Sequence, residues 1–122
     1  MATNLYMDDG RFLAGAATQP ATPVSGDPVL LGQIPGVALT GEAEGQNAAG
    51  EITIDTEGVY NLAVGGVDGS GNSAVAIGDI LYYDSAATPK INKDNANGVR
   101  YGYALGAVSS GGSGTIPVKL GY

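Results

Sequence analysis

The sequence predicts an all-β fold: a small barrel or sandwich of two similar half-units, with an extended N-terminal arm. Three observations predict it. From Gly26 onward, short apolar runs are separated by turn signals, which is how a sandwich or barrel reads in sequence. No segment sustains the 3.6-residue apolar period of a helix. The same order of short motifs also occurs twice along the chain. At 122 residues, with 21 Gly and 6 Pro, the chain has room for one small domain with a thin core.

Residues 1–24 read as an arm and linker, and residues 25–122 as the β domain. The arm holds Leu5, Tyr6, Phe12 and Leu13, with a strand over 6–13. Small residues with Pro20 and Pro23 follow it. Strands are expected over 28–31, 36–40, 52–56, 59–67, 79–83, 99–108 and 115–120. Ile52, Ile54 and Thr56 alternate with Thr53 and Asp55, which suits a strand with one buried face. Tyr60, Leu62 and Val64 share a face for the same reason. Asn97-Gly98 predicts a two-residue hairpin turn, because both residues tolerate positive φ. Residues 68–72 and 109–114 read as loops, and Ala74 to Ile77 fits helix or strand equally. Pro117 has no amide proton, so its strand is expected at an edge or with that nitrogen facing outward.

The repeat emerges once the strands are marked. Gly26-Asp27-Pro28-Val29-Leu30-Leu31 resembles Gly78-Asp79-Ile80-Leu81-Tyr82-Tyr83. Gly36-Val37-Ala38-Leu39 and Gly102-Tyr103-Ala104-Leu105 come next, each followed by an alternating strand. Two such half-units around one core would make a small pseudo-symmetric barrel.

Composition excludes most chemistry. With no His and no Cys there is no imidazole base, no thiolate and no ordinary zinc, copper or haem ligand set. No phosphate-loop signature and no Ser-x-x-Lys occur, and Gly69-Ser70-Gly71-Asn72-Ser73-Ala74 lacks a helix behind it. The net charge is −7, and Arg11, Lys90, Lys93, Arg100 and Lys119 are scattered, so direct binding to nucleic acid or an anionic membrane is not expected. No apolar run approaches a membrane span, and no signal-peptide pattern opens the chain, which reads as a soluble intracellular product. No enzyme activity and no cofactor are expected. Asp68, Ser70, Asn72 and Asp79 have calcium-loop spacing, but Ser73 stands where that loop needs Gly; a weak calcium site and a hydrogen-bonded turn both fit. Glu42, Glu44, Glu51, Asp55 and Glu57 read as a solvated face. Tyr82, Tyr83, Tyr101 and Tyr103 suit either a core or an interface, since tyrosine joins contact area to a polar tip.

An ordered set of motifs then resembles a known family. Ser25 to Gly32 with Ile34-Pro35-Gly36-Val37-Ala38 resembles the opening of small tailed-phage capsid cement, or head decoration, proteins. Thr56 to Leu62, Ala76 to Asp84 and Val99 to Leu105 continue the resemblance over about residues 25–120. Such proteins have also carried a recombinase-associated label, which a chain without an ATP loop or basic patch does not support. The resemblance implies a virion protein made in the bacterial host cytoplasm that binds the outside of the assembled head and stabilises it. The implied partner is the major capsid protein and the implied state a homotrimer. Leu5, Tyr6, Phe12 and Leu13 are then the candidate capsid contacts, and Tyr82, Tyr101 and Tyr103 the candidate subunit interface. A different virion β module, binding glycans or a receptor through its tyrosines, is the competing reading.

Overall fold

The computed structural model describes residues 11–16, 20, 22–41 and 51–121. Among the described residues ten strands run in chain order: β1 (Phe12–Gly15), β2 (Pro28–Leu31), β3 (Ile34–Ala38), β4 (Ile52–Asp55), β5 (Val59–Asp68), β6 (Gly71–Asn72), β7 (Ile80–Tyr83), β8 (Ile91–Lys93), β9 (Val99–Ala104) and β10 (Ser113–Leu120). The first four form an antiparallel sheet in the order β1-β4-β3-β2. The rest follow the order β10-β9-β7-β8-β5-β6, and a β10–β5 pairing closes five of them into a barrel. The all-β expectation holds.

The two half-units match in register, and they match over four strands instead of three. Val29 lies opposite Gly36 as Leu81 lies opposite Gly102. Ala38 lies opposite Ile54 as Ala104 lies opposite Val118. Leu13 lies opposite Ile54 as Tyr60 lies opposite Val118. So β1-β4-β3-β2 repeats as β5-β10-β9-β7. Individual hydrogen bonds repeat too. Gly26 N–H donates to Ala38 O at 2.7 Å and Gly78 N–H to Ala104 O at 2.7 Å. The Asp27 carboxylate accepts from Val24 N–H at 2.9 Å, and the Asp79 carboxylate from Ala76 N–H at 2.9 Å. Gly26 and Gly78 hold φ of 93° and 92°, which explains the Gly-Asp pair before each strand. Gly36 and Gly102 lie where a Cβ would come 2.9 Å from Asp55 O and 2.2 Å from Lys119 O.

The units differ in closure. Two residues, Gly32 and Gln33, join β2 to β3, whereas residues 84–98 join β7 to β9 and carry β8. Strand β8 runs antiparallel to β7 and parallel to β5, and so bridges the gap that would leave the second sheet open. The halves therefore do not wrap one shared core. The barrel interior holds Leu62, Val64, Leu81, Tyr83, Ile91, Ala104, Ile116 and Val118. The first sheet has its own cluster of Val29, Ala38, Ile52 and Ile54, against which Leu13 and Leu31 pack. Leu30 and Val37, on the other face of that sheet, join the barrel's cluster, so the first sheet sits on the barrel with its back inward.

Four local expectations change. Asn97-Gly98 does not close a hairpin: it links β8 to β9, which lie on either side of β7. Pro117 is not on an edge strand, since β10 pairs with both β5 and β9. It accepts from Leu105 N–H at 2.9 Å where β9 turns away, as Thr53 accepts from Leu39 N–H at 2.8 Å in the other unit. At that point Thr53 N–H turns to the Thr40 hydroxyl, 3.2 Å away, so the proline occupies a place where the strand partner need not be met. Asp55, expected on a solvated face, is 1% exposed. Val75 makes an isolated bridge to Val108, and Ala74 to Ile77 forms no helix.

Candidate functional site

Among the described residues no three His, Cys, Asp or Glu side chains come together in a way that could hold a metal ion. The calcium-spaced residues do not converge. The Asp68 carboxylate accepts from its own turn, Ser70 N–H at 2.8 Å and Gly71 N–H at 3.1 Å. Asp79 accepts from Ala76 N–H and stands 3.4 Å from the Lys93 ammonium. Those bonds, led by the one from Ala76, hold the Asp79 carboxyl below its ordinary range. The turn reading of the spacing is the one the geometry follows. Clefts are shallow and poor in chemistry. One between β5, residues 87–89 and residues 111–113, about 280 Å³, is lined by small and apolar residues such as Gly65, Val67, Ala87 and Pro89, with no charged side chain.

What the molecule does offer is a clamp and a face. The clamp is built on Asp55, at the end of β4. Its carboxylate accepts from Arg11 Nε and Nη2, each at 3.0 Å, from Glu57 N–H at 3.0 Å and from the Tyr60 hydroxyl at 2.5 Å. Burial alone would push this carboxyl up, but the bonds from Arg11, Tyr60 and Glu57 outweigh it and hold it below the usual carboxylate range. A paired, fully hydrogen-bonded carboxylate is the form in which a buried charge is tolerated. One residue thus ties the start of β1, the end of β4 and the barrel strand β5. Nearby, the Tyr101 hydroxyl donates to Gly36 O at 2.6 Å, a second tie between the barrel and the first sheet.

The face is the outside of β7, β9, β10 and β5. Register places Ile80, Tyr103, Lys119 and Val59 in one row across four strands. Tyr82 lies opposite Arg100 just above it. The Arg100 guanidinium lies 5.5 Å from the Tyr103 ring centre and donates to its hydroxyl. Val59 is 55% exposed and Leu105, two residues beyond Tyr103 and bonded to Pro117 O, is 40% exposed, so the face carries further apolar surface. The matching row of the first unit is Pro28, Val37, Asp55 and Phe12. There Val37 and Asp55 are buried against the barrel.

The residues singled out from sequence fall in different places. Leu5 and Tyr6 lie outside the described residues. Phe12 is 44% exposed at the sheet edge, with the Arg11 guanidinium 4.9 Å from its ring centre. Leu13, on the opposite side of β1, packs into the first sheet's cluster. Tyr82 and Tyr103 are half-buried on the outer face. Tyr101 is fully enclosed beside Tyr83, with ring centres 6.2 Å apart, and has no surface left for a partner in this fold. The reason is a bulge: β9 pairs Gly102 with Leu81 but Arg100 with Tyr82, so Tyr101 is the extra residue and turns inward. Sequence reading missed Ile80 and Lys119 as neighbours of Tyr103, and missed the Arg11–Asp55–Tyr60 clamp. The repeat was the signal that could have found the first pair, since it aligns Ile80 with Pro28 and Tyr103 with Val37.

A family model described as phage cement protein matches residues 7–120. No match was found among curated proteins or among solved structures.

Proposed function

The chain belongs to the phage cement protein family, and from that premise we propose that it binds the outer surface of the assembled capsid as a homotrimer and stabilises the head. Membership gives it a structural, capsid-associated place in the virion. The finer reading rests on one observation: the outer row Ile80, Tyr103, Lys119 and Val59 is partly or fully exposed along its length, while Val37 and Asp55 at the centre of the matching row are buried. An apolar and aromatic row with one cation suits a protein contact, and Tyr82 and Tyr103 remain the proposed subunit interface.

The N-terminal segment is the proposed shell contact. Register turns the backbone N–H and C=O of Phe12 and Ala14 away from β4, since Thr56 N–H bonds to Arg11 O and the next bonded pair is Leu13 with Ile54. Such an edge can accept an extended strand from a partner. The Asp55 clamp fixes Arg11 at the start of β1 to β4 and β5, which suits load transfer from shell to barrel. Three segments per trimer would add avidity.

The test uses purified protein and expanded heads that lack it. Co-sedimentation with the heads and greater heat resistance of the decorated particles are expected, with a trimer by light scattering. Removal of residues 1–10 is expected to weaken co-sedimentation while the far-ultraviolet β spectrum is kept. Heads that neither bind the protein nor gain heat resistance overturn the reading.

A further inference from the structure

Asn97-Gly98 is the chain's one Asn-Gly pair. In such a pair the glycine nitrogen, with no Cβ to hinder it, can attack the asparagine Cγ. The new N–Cγ bond forms, the Cγ–Nδ2 bond breaks, and Nδ2 leaves as ammonia after taking up, by way of solvent, the proton that the glycine nitrogen gives up. Water then opens the succinimide to aspartate or isoaspartate, and no oxidant or reductant takes part. Packing, not turn type, puts glycine there: a Cβ on Gly98 would lie 2.7 Å from Asp94 O and 2.7 Å from Tyr82 Cβ. Asn97 is exposed, so water reaches it.

We propose that Asp94 guards this bond, and that Asn97 is the site at which the protein is chemically modified once that guard is released. Both reacting groups are held by the one residue. Gly98 N–H, the nucleophile, donates to Asp94 O at 3.0 Å. The Asn97 side-chain amide, the leaving group, donates to Asp94 Oδ2 at 2.9 Å. Asp94 Oδ1 accepts from Ala96 N–H at 3.0 Å and Asn97 N–H at 3.1 Å, so the turn cannot swing to bring nitrogen and Cγ together without breaking several bonds. The guard is itself fixed: Asp94 is 8% exposed and its N–H donates to Asn92 Oδ1 at 2.8 Å. The bond from Asn97 also keeps the Asp94 carboxyl below its ordinary range, so it stays anionic, and an anion there opposes loss of the neighbouring amide proton.

Modification would not be silent. A carboxylate at position 97 would face that of Asp94 in place of a donor. Isoaspartate would also lengthen the backbone beside Tyr82, at the border of the outer face described above. The chemistry stands apart from that reading, because the rate at Asn97 is measurable on the free protein.

The test follows Asn97 by peptide mass mapping and isoaspartate-specific enzymatic methylation in mildly alkaline buffer. Native wild type is expected to react about tenfold or more slowly than the same chain in urea, since reaction must await local opening. Asp94→Asn keeps an oxygen for the backbone N–H groups but loses the acceptor for the Asn97 amide. It is expected to speed the native reaction severalfold at an unchanged far-ultraviolet spectrum, with Asp94→Ala faster still. A native wild-type rate equal to that in urea overturns the proposal, whatever the variants do. Folded variants that react at the wild-type rate overturn it equally.

Discussion

The first sheet and the barrel are two uses of one backbone unit. Their ladders pair the same positions, their turns use the same Gly-Asp bonds, and their clusters set Val29, Ala38, Ile52 and Ile54 against Leu81, Ala104, Ile116 and Val118. They part in two respects. Residues 84–98 supply the strand that closes the second unit, where Gly32-Gln33 leaves the first without one. Val37 and Asp55, at the centre of the first unit's row, are buried, whereas the row that contains Lys119 faces outward. The lesson is that local rules are obeyed in both units, while burial is decided by what lies against each. A strand in a closed barrel has neighbours on both sides; a strand in the first sheet can yield toward an open edge.

Substituting the two close-approach glycines would break that comparison most severely. Gly102→Ala drives a Cβ to 2.2 Å from Lys119 O inside a closed barrel, and Gly36→Ala drives one to 2.9 Å from Asp55 O in the smaller sheet. We expect a loss of about 3 kcal/mol or more for the first and about 1–2 kcal/mol for the second, as overpacking against backbone costs. Urea unfolding of each variant measures both. Equal losses would mean that closure adds no stiffness.

Next in size is the clamp. Asp55→Ala removes four accepted hydrogen bonds, three of them from side chains, at a buried site, and about 2 kcal/mol of stability should go with them. The substitution at the matching barrel position, Lys119→Ala, should cost little, since that side chain is exposed. Acid sharpens the contrast. The folded-state pKa of Asp55 is depressed, so its stabilisation is present in full above the ordinary aspartate value of 3.8 and drains away as pH falls through the lower folded value. Asp79 and Asp94 are shifted in the same direction and add to the same acid limb. Melting temperature should therefore fall below about pH 4, and Asp55→Asn should flatten part of that fall. A variant with an unchanged acid limb would remove Asp55 from the account.

What was legible in the sequence follows from which residues geometry restricts. Gly26, Gly36, Gly78 and Gly102 could be paired by eye because positive φ and close approach admit almost nothing else. Strand β1 could not be matched to β5: the ladder asks only for apolar residues at its inward positions, and Leu13 meets that demand as well as Tyr60 does. Strand β8 is three residues long with a buried Asn92 at its centre, too short and too polar to show alternation. Asn97-Gly98 misled because the glycine answers to Tyr82 and Asp94 instead of to a hairpin. Tyr101 misled because one bulge reverses its side. Asp55 looked solvated since nothing local reveals that a barrel lies over it. The clamp and the outer row are tertiary facts, and the repeat gave a route to the row alone.

The smallest expected effect on the fold carries the most about function. Lys119→Asp places in the barrel's row the same residue that Asp55 is in the first unit's row. Without an Arg11 or a Tyr60 to meet it there, the new carboxylate simply stays in water, so unfolding free energy should move by no more than about 0.5 kcal/mol. Self-association and head binding should weaken if the row is a contact, because a charge brought into an apolar interface without a partner costs desolvation. The added negative charge also raises long-range repulsion in a chain already at −7, and that effect is separable. Repulsion between exposed charges fades at high salt, where the screening length drops to about 3 Å. A binding defect that persists in high salt is local to the row. One that vanishes with salt reports net charge alone, and moves the proposed interface away from Tyr103 and its neighbours.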